Sequence, residues 1–163
     1  MKNIIDFFFP KICIHCKEIS KKNPFFCNRC LEDFELLEKE DIKKIIDIKI
    51  VSTFDRIGPL NTFFLEIKKE KNLSLIRLAA SFMVYQYLNL KYPMPDVLYP
   101  LYISKRYRFI KILTKEVSKI FKRPISKKIL KDKKGIVITD LLEEKEIKQF
   151  FFSKDLIVLT LFQ

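Results

Sequence analysis

The stretch KKGIVITDLLEEKEIKQFF, Lys133 to Phe151, decides how the chain is read. Its first part, Gly135–Thr139, is an apolar, β-branched run of the kind that fills a buried strand. Asp140 closes the run, and a helix is expected from about Glu143. In α/β proteins such a junction suits a phosphate, because unpaired N–H groups at a helix N-terminus carry partial positive charge. Here it reads Asp140-Leu141-Leu142-Glu143-Glu144-Lys145-Glu146, with no glycine and three glutamates. A carboxylate where a phosphate must sit costs on the order of 4 kcal/mol per charge pair at about 4 Å and an effective dielectric of about 20. Glutamates in the first turn of a plain helix are, by contrast, favourable. The expectation is a junction kept without its phosphate chemistry, with Asp140 as a turn or helix-capping residue.

Working outward, the same alternation continues. Leu31–Leu37 reads as a short amphipathic helix, followed by a charged stretch to about Lys49 and a strand over Ile50–Phe54. Gly58-Pro59 is a turn opening a helix through Phe63, Phe64 and Ile67. Between Leu73 and Leu90, apolar residues recur at helical spacing (Leu75, Leu78, Ala79, Phe82, Tyr85), and Pro93 and Pro95 end that helix. A strand over Asp96–Leu101, a helix from about Arg106 to Phe121 and strands over Ile125–Leu130 and Gly135–Thr139 come next. A last strand over Asp155–Phe162 completes the chain. Apolar strands alternating with helices predict an α/β domain with a parallel sheet covered on both faces, which binds ligands at the carboxyl ends of its strands. Tyr99-Pro100 and Thr139-Asp140 fall at such ends.

All four cysteines lie near the start, as Cys13-Ile-His-Cys16 and Cys27-Asn-Arg-Cys30. Two C-x-x-C pairs separated by ten residues form two tight knuckles whose thiolates complete a tetrahedral S₄ site. Four ligands leave no open position, so a zinc ion held there is structural. The gap is shorter than the roughly 15–20 residues of ordinary zinc ribbons, yet long enough for a hairpin. Disulfides, a thioredoxin-like redox pair and iron–sulfur ligation are the competing readings of the same cysteines. His15, the one histidine, either replaces a cysteine as ligand or lies on the knuckle surface. No histidine is then left for acid–base work elsewhere, which narrows the enzyme readings.

The net charge of +12 is unevenly spread. From Ser104 to Lys134, thirteen Lys and Arg face two acids, Glu116 and Asp132; the rest of the chain carries nineteen against eighteen. On the helix after Arg106, Phe109, Leu113, Val117 and Ile120 make an apolar stripe. Arg108, Lys111, Lys115, Lys119 and Lys122 make a basic one at spacings of three and four. With Lys127, Lys128, Lys131, Lys133 and Lys134 nearby, this is a track suited to nucleic-acid phosphates, or equally a solvated face. No run reaches the ~20 apolar residues of a membrane span. The start, MKNIIDFFFPKIC, lacks a cleavage site for secretion, so a cytoplasmic location is expected.

Taken in order, several segments resemble the ComF family. They are FFFP, the cysteine pairs ending in Cys27-Asn-Arg-Cys30-Leu31, Phe54-Asp-Arg-Ile-Gly58-Pro59-Leu60, Pro95-Asp96-Val97-Leu98-Tyr99-Pro100-Leu101, Lys105-Arg106-Tyr107-Arg108-Phe109 and Gly135-Ile-Val-Ile-Thr139-Asp140. The resemblance implies a zinc ribbon over residues 1–37, with its short helix. It also implies a type I phosphoribosyltransferase-like, Rossmann-like domain over residues 50–163. ComF proteins are linked to competence, the movement of incoming single-stranded DNA into the cytosol. The departures are as informative. Active-looking members carry two adjacent acids before a Thr-Thr-Gly turn that binds phosphoribosyl pyrophosphate (PRPP). Here the first acid is Thr139, only Asp140 remains, and the turn within residues 139–147 has become Leu142-Glu143-Glu144-Lys145-Glu146. The usual Gly-Phe-Asn-Gln after the basic turn reads Arg108-Phe109-Ile110-Lys111. The polar segment after Ile125–Leu130 is largely missing. The expectation is a degenerate member that binds single-stranded DNA or a component of the uptake machinery. The alternative is a working phosphoribosyltransferase in which Asp140 holds ribose hydroxyls with Mg²⁺ and Arg106 or Arg108 holds pyrophosphate.

Overall fold

The apolar runs read above become the strands of one sheet. The computed structural model describes residues 10–20, 23–38, 43–45, 48–101, 107–130, 133–141 and 156–162. Within them the elements are α1 (Asn28–Glu32), β1 (Lys43–Ile45), β2 (Ile48–Phe54), α2 (Gly58–Lys68), α3 (Leu73–Asn89), β3 (Val97–Pro100), α4 (Tyr107–Phe121), β4 (Gly135–Leu141) and β5 (Ile157–Phe162). The sheet order is β1-β2-β5-β4-β3. The four strands β2, β5, β4 and β3 are mutually parallel, and β1 pairs antiparallel with β2 along the outer edge. The expected α/β class with a parallel sheet is what forms.

Burial explains the sequence pattern. β3 is buried at every position, and β4 and β5 at all but one each, so neither face shows the polar alternation of a solvated sheet. α3 packs on β2 and β5, α4 packs on β3 and β4, and the two helices pack on each other, so they share one face. α2 leans on α3. Asn72 caps α3 by accepting from the N–H groups of Ser74 and Leu75, at 3.1 and 3.3 Å.

Four expectations shift. Leu31–Leu37 is helical only as far as Glu32, and the charged stretch contributes β1. Ile125–Leu130 is not a strand: Ile125 alone bridges Leu98, in parallel, along the free edge of β3. The buried side of α3 is centred on Ile76, Ala79, Ala80, Met83 and Tyr87, which leaves Tyr85 facing solvent. On α4, Phe121 rather than Ile120 ends the apolar stripe. In both helices the residue one position along is the buried one, Gln86 after Tyr85 and Phe121 after Ile120. The helix expected from Glu143 lies outside the described residues.

Gly135 is required where β4 begins. A Cβ there would stand 2.2 Å from Tyr99 Cε2 and 3.0 Å from Leu156 Cδ2. The Tyr99 ring fills that space while its hydroxyl accepts the Leu130 N–H at 3.0 Å.

Candidate metal centre and basic face

Each cysteine pair is shaped by its own backbone. Ile12 and Ile19 bridge antiparallel, Cys13 N–H donates to Glu18 O at 2.8 Å, and Lys17, at φ +65°, turns the chain between them. The second pair begins α1, with Leu31 N–H reaching back to Cys27 O at 3.0 Å. Asn23 organises the link by accepting from the N–H groups of Phe25 and Phe26, and the buried Ser20 hydroxyl donates to Phe26 O at 2.9 Å. The outcome is that all four Sγ atoms lie within 4.8 Å of one another, with Cys16 and Cys27 at 3.6 Å. Four thiolates about 2.3 Å from a single ion in a tetrahedron stand about 3.8 Å apart, so the donor set fits a metal ion.

The electrostatics of the thiols agree. Burial pushes Cys13 up, but the N–H groups of Cys27, Cys16 and His15 hold its thiolate and bring its pKa to about 6. Cys30 is pushed up, first by burial and then by the thiols around it. One low thiol among raised neighbours is what four acids in one small volume produce, and a central cation reverses the penalty for all of them. His15 does not replace a cysteine in the donor set and lies exposed on the knuckle. Its Nδ1 shares a 2.8 Å hydrogen bond with Thr62 Oγ1 on α2, which ties the first knuckle to the α/β layer.

That tie is reinforced by aromatic rings the sequence reading passed over. Phe26, between the cysteine pairs, meets Phe34 at 4.8 Å and Phe63 of α2 at 6.0 Å. Phe34 meets Phe54 of β2 and Phe82 of α3, at 5.8 and 6.0 Å. The cysteine segment and the sheet therefore share a core. The sixteen phenylalanines were the available signal, but spacing does not say which of them meet.

At the carboxyl ends of the strands, Thr139 pairs in register with Thr160. Thr139 Oγ1 donates to Leu141 O at 3.1 Å, Thr160 Oγ1 to Phe162 O at 2.6 Å, and Thr53 Oγ1 to Thr160 O at 3.1 Å. Asp140 is not a turn residue, and the helix it was expected to cap lies outside the described residues. It lies inside β4, which runs on to Leu141, and it is 0% exposed. The near-repeat IVITDL and IVLTLF is the sequence trace of this threonine row. Residues 142–147 of the expected PRPP turn lie outside the described residues.

On α4 the basic stripe is real as a surface. Arg108, Lys111, Lys115, Lys119 and Lys122 are all exposed. Arg108 Nε lies 3.1 Å from Glu70 Oε2, and Lys119 reaches Glu116, which Arg77 also contacts at 3.3 Å. Lys111, Lys115 and Lys122 make no ion pair among the described residues. Arg106 lies outside them. No helix among the described residues is long and apolar enough to cross a membrane.

Comparison with protein-family models, with curated proteins and with solved structures finds no match to this chain.

Proposed function

We propose that the chain is a divergent, shortened ComF-like protein. In this reading Cys13, Cys16, Cys27 and Cys30 hold a structural Zn²⁺, and the α/β layer is a type I phosphoribosyltransferase-like domain with a degenerate PRPP loop. The protein acts by binding single-stranded DNA during uptake in the cytoplasm and is not an enzyme. The observation that carries the reading is the exposed stripe of Arg108, Lys111, Lys115, Lys119 and Lys122 on one helix, most of it without carboxylate partners. Phosphates neutralised along such a stripe release counterions, which favours a polyanion over a single small ligand. The buried position of Asp140 adds support, since a residue that gathers ribose hydroxyls with Mg²⁺ must present its carboxylate to solvent.

The test is fluorescence anisotropy of a labelled dT oligomer with the zinc-loaded chain. Lys111→Glu with Lys115→Glu is expected to weaken binding at least ~10-fold and to flatten the dependence on log salt by about 2. Unchanged affinity in that variant would sink the DNA reading. Calorimetric titration with PRPP and Mg²⁺ is expected to show no heat of binding. A saturable heat that Asp140→Ala removes would establish the enzyme reading in its place.

A further inference from the structure

We infer that the free edge of the sheet beside β3, where α4 ends, is a docking surface for an acidic protein segment bearing aliphatic side chains. Four large apolar side chains stand in solvent within the eleven residues 120–130: Ile120 at 44% exposure, Ile125 at 41%, Ile129 at 39% and Leu130 at 44%. They belong to an ordered surface. The N–H of Leu98 donates to Pro124 O, and the N–H of Ser126 donates to Leu98 O, both at 3.0 Å. The Leu130 N–H is held by the Tyr99 hydroxyl, and Ser126 Oγ closes a turn onto Lys128 O at 2.7 Å. Apolar side chains fixed in solvent on a supported backbone are the usual mark of an interface rather than of loose surface.

The charge around them is of one sign. Lys122, Arg123, Lys127 and Lys128 are exposed, and residues 117–130 contain no Asp or Glu. None of the four cations makes an ion pair among the described residues, and Glu116, the nearest acid on the amino-terminal side, is occupied by Lys119 and Arg77, while Asp132 lies outside the described residues. A partner must therefore offer carboxylates or phosphates together with apolar groups. Among the described residues the patch has no aromatic platform, because Phe121 and Tyr99 are both buried. Bases stack on aromatic rings, so nucleic acid would gain phosphate contacts here and leave four aliphatic side chains without partners. A protein segment with carboxylates beside Leu, Ile or Val satisfies both halves. It docks through side chains and does not add a strand, since Leu98 already spends its outward N–H and C=O on the 124–126 segment. Pro100, the next outward position, has no N–H. This surface shares Lys122 with the basic stripe but lies beyond Lys111 and Lys115, so variants there test it separately from DNA binding.

The experiment pans a random peptide library against the zinc-loaded full chain and synthesises the peptides it enriches. Enriched peptides should combine Asp or Glu with aliphatic residues. Ile125→Ser with Leu130→Ser should weaken their binding at least ~10-fold, as should Lys127→Glu with Lys128→Glu, each variant first shown to melt like the parent. Lys111→Glu with Lys115→Glu should leave it unchanged. No acidic-aliphatic enrichment would overturn the inference, as would peptides indifferent to both variants. So would a dT oligomer or phosphatidylglycerol vesicles whose binding is lost with Ile125→Ser and Leu130→Ser.

Discussion

In one region Cys13, Cys16, Cys27 and Cys30 gather beside a cluster of phenylalanines; in another, α4 turns Arg108, Lys111 and Lys115 to water. At the cysteine side nearly every polar group is answered: His15 by Thr62, Ser20 by Phe26 O, Asn23 by two amides. At the lysine side the cations mostly lack partners and aliphatic side chains stand exposed. Satisfied groups close a fold, while unsatisfied charge and apolar surface remain available for a partner. Under the proposals above, the first region closes the fold and the second is the surface for recognition.

The largest expected effect tests whether the cysteine segment is structurally one with the sheet. Zinc binding supplies roughly 10 kcal/mol in small finger peptides, so chelation should lower the urea midpoint of the whole chain, followed by far-UV circular dichroism. If α2, α3 and α4 melt as before, the segment is an appendage and the contrast fails. Next, Phe26→Ala should cost about 3–5 kcal/mol in the same denaturation, because its ring is fully buried between Phe34 and Phe63. An effect confined to the first forty residues would again separate the regions.

Gly135→Ala should cost about 1–3 kcal/mol by driving a methyl into the Tyr99 ring, and Tyr99→Leu should relieve part of it in a double-mutant cycle. Strict additivity would mean the ring is not what excludes the side chain. A smaller effect belongs to Glu116. Burial raises its pKa, but Lys119 and Arg77 outweigh this and hold its carboxyl below the usual range. A lowered folded-state pKa contributes stability that is present above the unfolded value of about 4.3 and is lost as pH falls through the folded value. The gap in unfolding free energy between the parent and Glu116→Gln should thus hold steady from pH 7 to about pH 5 and shrink below about pH 4. A gap that persists in acid would point to packing instead. Smallest of all, Arg108→Ala should change stability by less than ~0.5 kcal/mol, since the guanidinium is largely in water despite its contact with Glu70. A larger loss would place this side chain among the structural groups and blur the division.

Much of this was legible in the chain itself. Gly135–Thr139 announced a strand as a short apolar, β-branched run, and Leu73–Leu90 announced a helix by its period of 3.6. The two C-x-x-C pairs announced a sulfur cluster because short-range geometry suffices to build each half. Asp140 was misjudged as a turn because β4 continues past it to Leu141, and only pairing with β5 extends the strand that far. Ile125–Leu130 looked like a strand by composition, yet a single bridge to Leu98 is all the sheet accepts there.

The sequence by itself determined the strand and helix runs, the spacing of the sulfur donors and the concentration of charge after Ser104. Each is a local property, carried by residues a few positions apart. Tertiary structure alone decided that Phe26 and Phe34 weld the cysteine segment to the sheet and that Asp140 is enclosed. It also left Ile120, Ile125, Ile129 and Leu130 exposed. Those outcomes depend on contacts between residues tens of positions apart, and burial is a property of the assembled core that no local pattern encodes.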